Sequence, residues 1–529
     1  MASAVVFLLC LFVHISDGIQ YETVTTDSGS LKGIRTSKCS KFLGIPYATA
    51  ERFSDPQKIP PWSGTLNATR TGPMCYQHCG SVPKNVCQKR VSENCLFLNV
   101  YRPLPDSQEQ SQTYAVMVFI HGGNFQYYSG GSPLFDGEVF VSTGKVILVT
   151  INYRLGPFGF LATVEDQHLA SGNFGLKDQK LALKWIHDNI NYFGGSNTKI
   201  TIFGQSAGAQ SVVLHLLSSS MNGLFQRAII QSCPFTIPFK TLEEASKQTG
   251  QLSVQLGCKV NDVECYRNKT AEDILTAYNN TSKKISRNFL LQFEPFGPVM
   301  DGKDVPRNLL DRIEKTHKFG KSIIVGTNSI DGALYARSIF PLNLPVSLGI
   351  LAVSSRFPSL ATGLHTLYGD SNGTKELLTN LITDYIFYCS SRRFADLVTD
   401  HDDALWFYIF GQPLSFEAFG NNSGCMQGAC HGGELPFLFS TVANAGYDVS
   451  EAEHSLSTRM IHYWTNFAKY GNPNKKHSDG ILHWPNYMDS NENGDSIQYF
   501  AESDKRLTRA HRKKFCQYFD KIGYHFSRL

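Results

Sequence analysis

Short apolar runs alternate with amphipathic stretches along most of the chain. Strand-like apolar runs occupy Tyr114–Ile120, Val146–Ile151, Arg227–Gln231 and Lys321–Val325. Such runs are typical of strands buried on both faces. Between them, Leu181–Ile190 repeats its apolar positions at helical spacing. Strands that alternate with helices predict an α/β protein with a large, mostly parallel central sheet flanked by helices.

The pattern is harder to assign to elements at the start of the chain and between residues 335 and 425. A turn-rich junction, Asp27–Ser30, separates Tyr21–Thr26 from Leu31–Ile34, which predicts a hairpin at the start of the mature chain. The region from about 335 to 425 is rich in helical patterns. No internal repeat, low-complexity segment or linker interrupts the chain. We therefore expect one domain over residues 19–529.

The first eighteen residues have the pattern of a secretory signal. The apolar run from Ala4 to Val13 is too short to span a bilayer, and the small residues Ser16 and Gly18 follow it. No Lys or Arg precedes the run, so a buried N-terminal strand is the alternative. We expect cleavage after Gly18.

Composition agrees with export. The formal charge of +4 over 529 residues is small, which predicts no nucleic-acid partner and no membrane-surface partner. Of the thirteen cysteines, all except Cys10 follow the signal, as expected in an oxidising compartment. No later segment is long and apolar enough to span a membrane, and residues 524–529 carry no lipid-anchor or retention signal. We expect a soluble protein, secreted or held in the lumen of a secretory vesicle. The sequence leaves open whether it forms a homo-oligomer.

An exported chain could also be glycosylated. Glycosylation sequons stand at Asn67, Asn268, Asn279, Asn280, Asn372 and Asn421.

A G-x-S-x-G motif occupies Gly204–Gly208, directly after the β-branched and aromatic residues Ile200, Ile202 and Phe203. Ser211–Leu217 then reads as a helix. Strand, motif and helix together are the context of a nucleophile elbow, with Ser206 at the tip of a sharp turn. The five-residue motif alone also arises by chance in a chain of 529 residues with 44 glycines. Whether Ser206 is a nucleophile therefore depends on residues elsewhere in the chain.

A nucleophilic serine needs a base to take its proton and a carboxylate to orient that base. On this architecture the chain order is serine, acid, histidine. Asp331 follows a predicted buried strand, and His431 stands beside a glycine pair in a loop. Taken alone, Asp331 is consistent with an ordinary turn residue, and His431 is one of sixteen histidines in the chain. Their positions and order together predict a Ser-His-Asp triad, which needs no cofactor and no metal.

With these residues in view, the sequence resembles the carboxylesterase/cholinesterase (type-B carboxylesterase) family of the α/β-hydrolase fold, from about Tyr21 to Cys516. The matching segments, besides the elbow and the His431 loop, are Phe42–Tyr47, Glu93–Leu96, Asn152–Gly156 and Gly172–Gln179. The resemblance implies Ser206 as nucleophile, Asp331 as acid and His431 as general base. The family more often has Glu at the acid position.

The resemblance also implies an oxyanion hole. His121–Phe125 is similar to the family's H-G-G-G-F loop, so the donors would be the main-chain amides of Gly123, Asn124 and Ala207. Asn124 stands where the family usually has a third glycine. Its amide can still donate, and Asn tolerates left-handed backbone better than most residues.

Disulfides and ion pairs come from the same resemblance. The disulfides implied by the resemblance are Cys75–Cys95, Cys258–Cys265 and Cys389–Cys516. The pairing of the other cysteines stays open: Cys79–Cys87 and Cys425–Cys430 are candidate local pairs, and with them formed Cys39 and Cys233 would be free, with burial expected for both. The implied buried ion pairs are Arg52 with Glu93 and Arg154 with Asp178.

Two departures favour a small neutral ester over a choline ester. Cholinesterases hold a quaternary ammonium on a tryptophan in the first disulfide loop, whereas Tyr76 is the only aromatic residue between Cys75 and Cys95. Gln205 stands where cholinesterases carry Glu before the nucleophile. A carboxylic ester hydrolase working through an acyl-enzyme is therefore the leading hypothesis.

The alternative hypothesis is a cholinesterase-like, non-catalytic protein of adhesion, storage or structure. The basic run Lys505–Lys514 is consistent with an acidic partner or, more simply, with a solvated helix face tethered through Cys516.

Overall fold

A central mixed sheet organises the computed structural model of this chain. The structure describes residues 20–79, 86–105, 113–164, 172–282, 293–316, 318–339, 342–401, 403–415, 423–443, 446–474, 482–488, 495–508 and 510–524. The predicted signal, residues 1–18, and the Asn421 sequon lie outside these ranges.

The described strands follow one another in this order: β1 Gln20–Thr26, β2 Gly29–Arg35, β3 Cys39–Pro46, β4 Ala48–Thr49, β5 Gln57–Lys58, β6 Thr65–Asn67, β7 Phe97–Pro103, β8 Tyr114–Ile120, β9 Ile147–Ile151, β10 Gly195–Gln205, β11 Arg227–Gln231, β12 Ser322–Asn328, β13 Leu405–Phe410, β14 Asp495–Phe500 and β15 Lys505–Thr508.

The described α-helices are α1 Glu138–Gly144, α2 Gly156–Phe160, α3 Phe174–Asn189, α4 Ala207–Leu217, α5 Leu242–Leu256, α6 Val263–Arg267, α7 Ala271–Ser282, α8 Leu309–Glu314, α9 Ala333–Ile339, α10 Val346–Arg356, α11 Ala361–Tyr368, α12 Thr374–Ile382, α13 Cys389–Thr399, α14 Leu435–Leu438, α15 Glu451–Tyr470 and α16 Lys513–Ile522. A π-helical segment, Thr383–Tyr388, connects α12 to α13.

The large sheet is parallel at its centre and antiparallel at its edges. Its main path runs β1-β2-β3-β7-β9-β8-β10-β11-β12-β13-β14-β15, and β6 pairs with β2. Every pairing from β9 to β14 is parallel. The first four pairings and the last are antiparallel. The predicted mostly parallel sheet and the opening hairpin of β1 and β2 are therefore confirmed.

Strand β8 shows why its sequence is apolar throughout. Val116, Val118 and Ile120 belong to the core on one face of the sheet. Met117 and Phe119 belong to the core on the other face. Because helices cover both faces, successive side chains of a central strand are all buried, and the polar alternation of a half-exposed strand is lost.

The parallel strands bring distant segments to one edge. In parallel strands all carboxyl ends point the same way, and loops that leave them meet there. β8 ends at Ile120, β10 at Gln205 and β12 at Asn328. These ends precede the His121–Phe125 loop, Ser206 and Asp331 respectively. The fold thus gathers the segments that the sequence analysis singled out.

Five disulfides are present, and they join the pairs 75–95, 79–87, 258–265, 389–516 and 425–430. Cys39 and Cys233 are free and buried. Among the described sequons, Asn67, Asn268, Asn280 and Asn372 are exposed and Asn279 is half-buried. Within the described ranges no helix is long and apolar enough to cross a membrane.

The basic run has structural partners. Arg512 forms an ion pair with the buried carboxylate of Asp384. Lys505 lies 4.7 Å from the centroid of the Tyr499 ring. Lys513 and Lys514 are exposed at the start of α16.

Candidate active site

Ser206 occupies a strained turn between β10 and α4. Its φ of 59° and ψ of −124° lie outside the regions that L-residues ordinarily adopt, and the residue is 3% exposed. The Ser206 amide donates to the carbonyl of Gln231 at 2.9 Å, which ties the turn to β11. Strain of this kind persists only where the surrounding structure enforces it, and it is concentrated at functional sites.

The two motif glycines allow α4 to pack directly on the sheet. A Cβ at Gly208 would lie 2.0 Å from the carbonyl oxygen of Ile120, and one at Gly204 would lie 2.5 Å from the carbonyl oxygen of Gly208. Neither space accommodates a methyl group. The motif therefore encodes close backbone packing as well as the sharp turn.

His431 and Asp331 are in direct contact. His431 Nδ1 lies 2.8 Å from Asp331 Oδ1. Asp331 is fully buried, and its Oδ2 accepts hydrogen bonds from Ser232 Oγ at 3.0 Å and from the Asn328 amide at 2.8 Å. With two donors on Oδ2, Oδ1 is the oxygen available to the imidazole.

The other imidazole nitrogen faces the elbow. His431 Nε2 lies 3.1 Å from Nε2 of Gln205, the residue before Ser206. When Nδ1–H donates to Asp331, Nε2 is the acceptor, so the Gln205 amide can donate to it. The ring packs against Phe387 and Tyr335, with centroid distances of 4.8 and 5.5 Å. These contacts orient the imidazole toward the 205–206 turn.

The His121–Phe125 loop is built from left-handed backbone. Gly123, Asn124 and Phe125 have φ of 93°, 55° and 59°. The amides of Gln126 and Tyr127 both donate to the Gly123 carbonyl, at 2.8 and 3.0 Å, and so close the loop. Asn124 thus occupies the conformation that a third glycine would adopt without strain.

The predicted oxyanion donors remain available. Among the described residues, none accepts a hydrogen bond from the main-chain amides of Gly123, Asn124 or Ala207. Gly122 holds the loop close to the elbow, because a Cβ there would lie 2.5 Å from the Gln205 carbonyl oxygen and 3.0 Å from Ser206 Cβ. Unpaired amides beside a nucleophile are the donors that a tetrahedral oxyanion requires.

Tyr335, which the sequence analysis did not predict, lies close to Ser206 and to the His431 ring. Burial and the negative charges of Asp331 and Glu294 raise the pKa of Tyr335 well above its usual range, and the nearby Ser206 lowers it by less. The phenol therefore stays protonated at neutral pH. No motif marks Tyr335, which lies on α9, the helix that follows Asp331.

Glu434 is a second unpredicted residue near His431. Its carboxylate accepts hydrogen bonds from Asn328 Nδ2 at 2.6 Å and from Gln231 Nε2 at 3.1 Å. Burial raises its pKa from 4.5 to about 6, against the Asn328 hydrogen bond, which lowers it. The nearby His431 also favours the ionised form. Above that pH, Glu434 adds a second negative charge close to the imidazole.

Both ion pairs implied by the resemblance are present. Arg52 donates from Nε to Glu93 Oε2 at 2.7 Å. Arg154 donates to both carboxylate oxygens of the fully buried Asp178, at 2.7 and 2.8 Å, and to the main-chain carbonyls of Glu51 and Ser54. No group of metal-ligating side chains occurs in the part of the chain that the structure describes.

The chain is similar to known proteins over most of its length. The family model described as "Carboxylesterase family" matches residues 20–349 and 359–519. The "Crystal protein" of Dictyostelium discoideum is 34% identical over 483 residues, which cover 87% of this chain and 83% of that protein. The cholinesterase of Mus musculus is 32% identical over 522 residues, covering 91% and 84%.

Solved structures of esterases also resemble this chain over nearly its whole length. The structure of a "PNB esterase" superposes with a TM-score of 0.77 at 29% identity, covering 94% of this chain and 100% of that one.

Proposed function

This chain belongs to the carboxylesterase family and has its α/β-hydrolase fold, and from that premise we propose that it is a secreted serine hydrolase of neutral carboxylic esters. The observation that carries the proposal is the 2.8 Å contact between His431 Nδ1 and buried Asp331, together with the strained backbone of Ser206 at the end of β10. The contact supports an oriented base. Among the described residues His431 Nε2 contacts the Gln205 amide and not the Ser206 hydroxyl, so the proposal requires that amide to move aside when Ser206 reacts.

In the proposed reaction, His431 Nε2 takes the Ser206 proton while Oγ attacks the ester carbonyl. Asp331 stabilises the imidazolium that forms, and the amides of Gly123, Asn124 and Ala207 stabilise the oxyanion. The imidazolium then protonates the departing alcohol, which leaves an acyl-enzyme. Water activated by His431 attacks the acyl-enzyme and releases the acid.

The neutral residue before Ser206 favours a neutral substrate. Gln205, which contacts His431 Nε2 at 3.1 Å, carries no charge that would attract a quaternary ammonium. When Nδ1–H donates to Asp331, Nε2 is the unprotonated nitrogen that a general base needs, and the Gln205 amide must release it before it can accept the Ser206 proton. Choline esters are therefore expected to be poorer substrates than neutral esters of similar size.

Secretion is part of the proposal. Five disulfides support an oxidising compartment, and exposed sequons at Asn67 and Asn372 would accept glycans there. Recovery of the glycosylated chain from the medium of secreting cells, with an N-terminus after Gly18, would support this assignment.

A non-catalytic role in storage or structure is the second candidate. It is favoured by the relative named "Crystal protein", a name that states no reaction. The two candidate functions differ in the nucleophilicity of Ser206. In a non-catalytic protein the triad residues are displaced, so no base activates the Ser206 hydroxyl and it is unreactive.

The test combines labelling with turnover. A fluorophosphonate probe should label the wild-type protein and hydrolysis of 4-nitrophenyl acetate should be steady, whereas Ser206→Ala should abolish both. Ser211→Ala, on the helix α4 that follows Ser206, is the matched control and should still be labelled. Absence of labelling in a folded wild-type protein, or equal turnover by Ser206→Ala, would refute the proposal and favour the storage role.

A further inference from the structure

A buried acidic residue and a buried cationic residue lie close to the candidate active site. Glu294 and Lys240 are each 3% exposed. The Lys240 ammonium donates to the main-chain carbonyl of Glu294, not to its carboxylate. Among the described residues, no cation lies within ion-pair distance of that carboxylate. Burial raises the pKa of Glu294 to about 7 and lowers that of Lys240 to about 8, and each charge favours the other.

Gln210 faces the same carboxylate and lacks a partner. The Gln210 side chain lies near enough to Glu294 to favour the ionised carboxylate. Yet Gln210 is fully buried, and neither of its amide atoms has a hydrogen-bond partner within the described ranges. A buried amide without partners costs free energy, and such a group in a native protein calls for an unseen ligand or water.

These polar groups border the reacting serine. Gln210 is one helical turn beyond Ser206, and its main-chain N–H donates to the Ser206 carbonyl at 3.0 Å. The negative charge of Glu294 acts on Tyr335, whose phenol lies close to Ser206.

Glu294 also lies against the predicted oxyanion loop. The Cβ position of Gly297 is 3.3 Å from both Glu294 Cβ and the Phe125 ring, and 3.6 Å from Glu294 Oε2. The carboxylate therefore lies close to the Phe125 end of that loop, on the same side of Gly297 as the Phe125 ring.

We propose that Glu294 and Gln210 form a subsite that binds a hydroxyl group of a neutral ester substrate. The inference rests on the proposed hydrolase function and specifies its substrate class. A hydroxyl both donates and accepts, so it can donate to the carboxylate and accept from the amide NH₂.

Charged groups fit the subsite less well. An ammonium can only donate, and it would add a second buried positive charge close to Lys240. A carboxylate on the substrate would be repelled by Glu294. The hydroxyl satisfies both protein groups and leaves the net charge of the site unchanged.

Two pairs of esters that differ only by a hydroxyl in place of a methyl group test this. One pair varies the acid part: 4-nitrophenyl 3-hydroxybutanoate against 4-nitrophenyl 3-methylbutanoate. The other varies the alcohol part: 2-hydroxyethyl butanoate against propyl butanoate. A hydrogen bond to a charged group predicts that kcat/KM favours the hydroxyl ester roughly 10- to 150-fold in at least one pair.

Variants assign the preference to this subsite. Glu294→Leu should reduce the ratio of the two kcat/KM values to about one. Because this variant leaves Lys240 buried without its acid, Glu294→Leu combined with Lys240→Met removes both charges and guards against a folding defect. Glu244→Gln is the matched control: this carboxylate also acts on Lys240 but pairs with Arg307, so the preference should persist.

Binding measured without turnover separates the two proposals. In Ser206→Ala, calorimetry should show tighter binding of the hydroxyl ester than of its isostere, and Glu294→Leu should remove the difference. Equal kcat/KM and equal binding within both pairs, or a preference that survives Glu294→Leu, would overturn the subsite and leave a buried structural network. If the wild-type protein is neither labelled nor active while the binding preference persists, the proposed hydrolase function is wrong and the hydroxyl subsite is supported.

Discussion

Asp331→Asn is the sharpest test of the candidate triad, because the structure predicts how the new amide must orient. Oδ2 of Asp331 accepts from the Asn328 amide at 2.8 Å and from the Ser232 hydroxyl at 3.0 Å. The main-chain N–H of Asn328 cannot turn away. The oxygen of the introduced amide must therefore stay at Oδ2, and its NH₂ must face His431 Nδ1 at the Oδ1 position.

That orientation fixes the imidazole in the wrong tautomer. Nδ1 of His431 must accept from the new NH₂, so the proton moves to Nε2, where it blocks transfer from Ser206. The same change in another serine hydrolase lowers kcat by about 10⁴ while leaving the geometry intact. We expect a loss of similar size here, which corresponds to about 5 kcal/mol of transition-state stabilisation.

The assay is kcat for 4-nitrophenyl acetate, with the thermal midpoint showing that the variant is folded. Ser232→Ala is the matched control. It removes one hydrogen bond to the same carboxylate, keeps the tautomer, and should cost at most about 10²-fold. A folded Asp331→Asn enzyme within tenfold of wild type would refute the reasoning, since the imidazole would then not depend on this carboxylate.

Other positions give independent predictions. Gln205→Glu places a carboxylate 3.1 Å from the general base, so the acid limb of the kcat/KM profile should move to higher pH by about one unit; an unmoved limb would contradict that contact. Gly122→Ala puts a Cβ 2.5 Å from a main-chain oxygen, and displacing an oxyanion donor should lower kcat at least about 10²-fold. Asp178→Asn leaves Arg154 buried without its counter-charge, so urea unfolding should show a loss of about 3–5 kcal/mol; an unchanged midpoint would contradict it. Glu434, with its pKa raised from 4.5 to about 6, gives stability that is present below pH 4.5 and lost as pH rises through 6. Between these pH values, the free energy of unfolding of Glu434→Gln should fall by about 2 kcal/mol less than that of the wild-type protein, as measured from unfolding curves.

The central strands could be predicted because their sequence pattern is local. Each is buried on both faces, so an apolar run marks it regardless of its neighbours. Arg227–Gln231 was predicted with the bounds of β11, and Val146–Ile151 differs from β9 by one residue. The helix predicted at Leu181–Ile190 instead begins at Phe174, because buried polar residues such as Asp178 and Gln179 mask the apolar face.

Strand β13, Leu405–Phe410, was missed inside a region read as helical. Its six residues are all buried and apolar, a pattern that a buried helix segment shares, so periodicity alone does not separate them. Its assignment to the sheet depends on pairing with β12. That pairing brings together residues that are far apart in the chain.

The candidate triad was predicted from motifs, whereas its surroundings were not. Tyr335, Glu294 and Gln210 carry no motif, and each acquires its role only from neighbours distant in sequence. The chain order and resemblance predicted which residues approach one another. They did not predict that the Gln205 amide would contact His431 Nε2, because that contact depends on side-chain orientation at the turn.

The charges around His431 suggest why a neutral Gln205 is compatible with catalysis. An imidazolium formed in the proposed acylation needs negative charge nearby. Asp331 contacts the ring directly, and Glu434, held by Asn328 and Gln231, is near enough for the His431 charge to favour its ionised form. Burying Glu434 costs stability at neutral pH, since its pKa is raised to about 6. Under the proposed function, that cost provides a second carboxylate close to the imidazole besides Asp331, so the residue before the serine can remain a neutral glutamine.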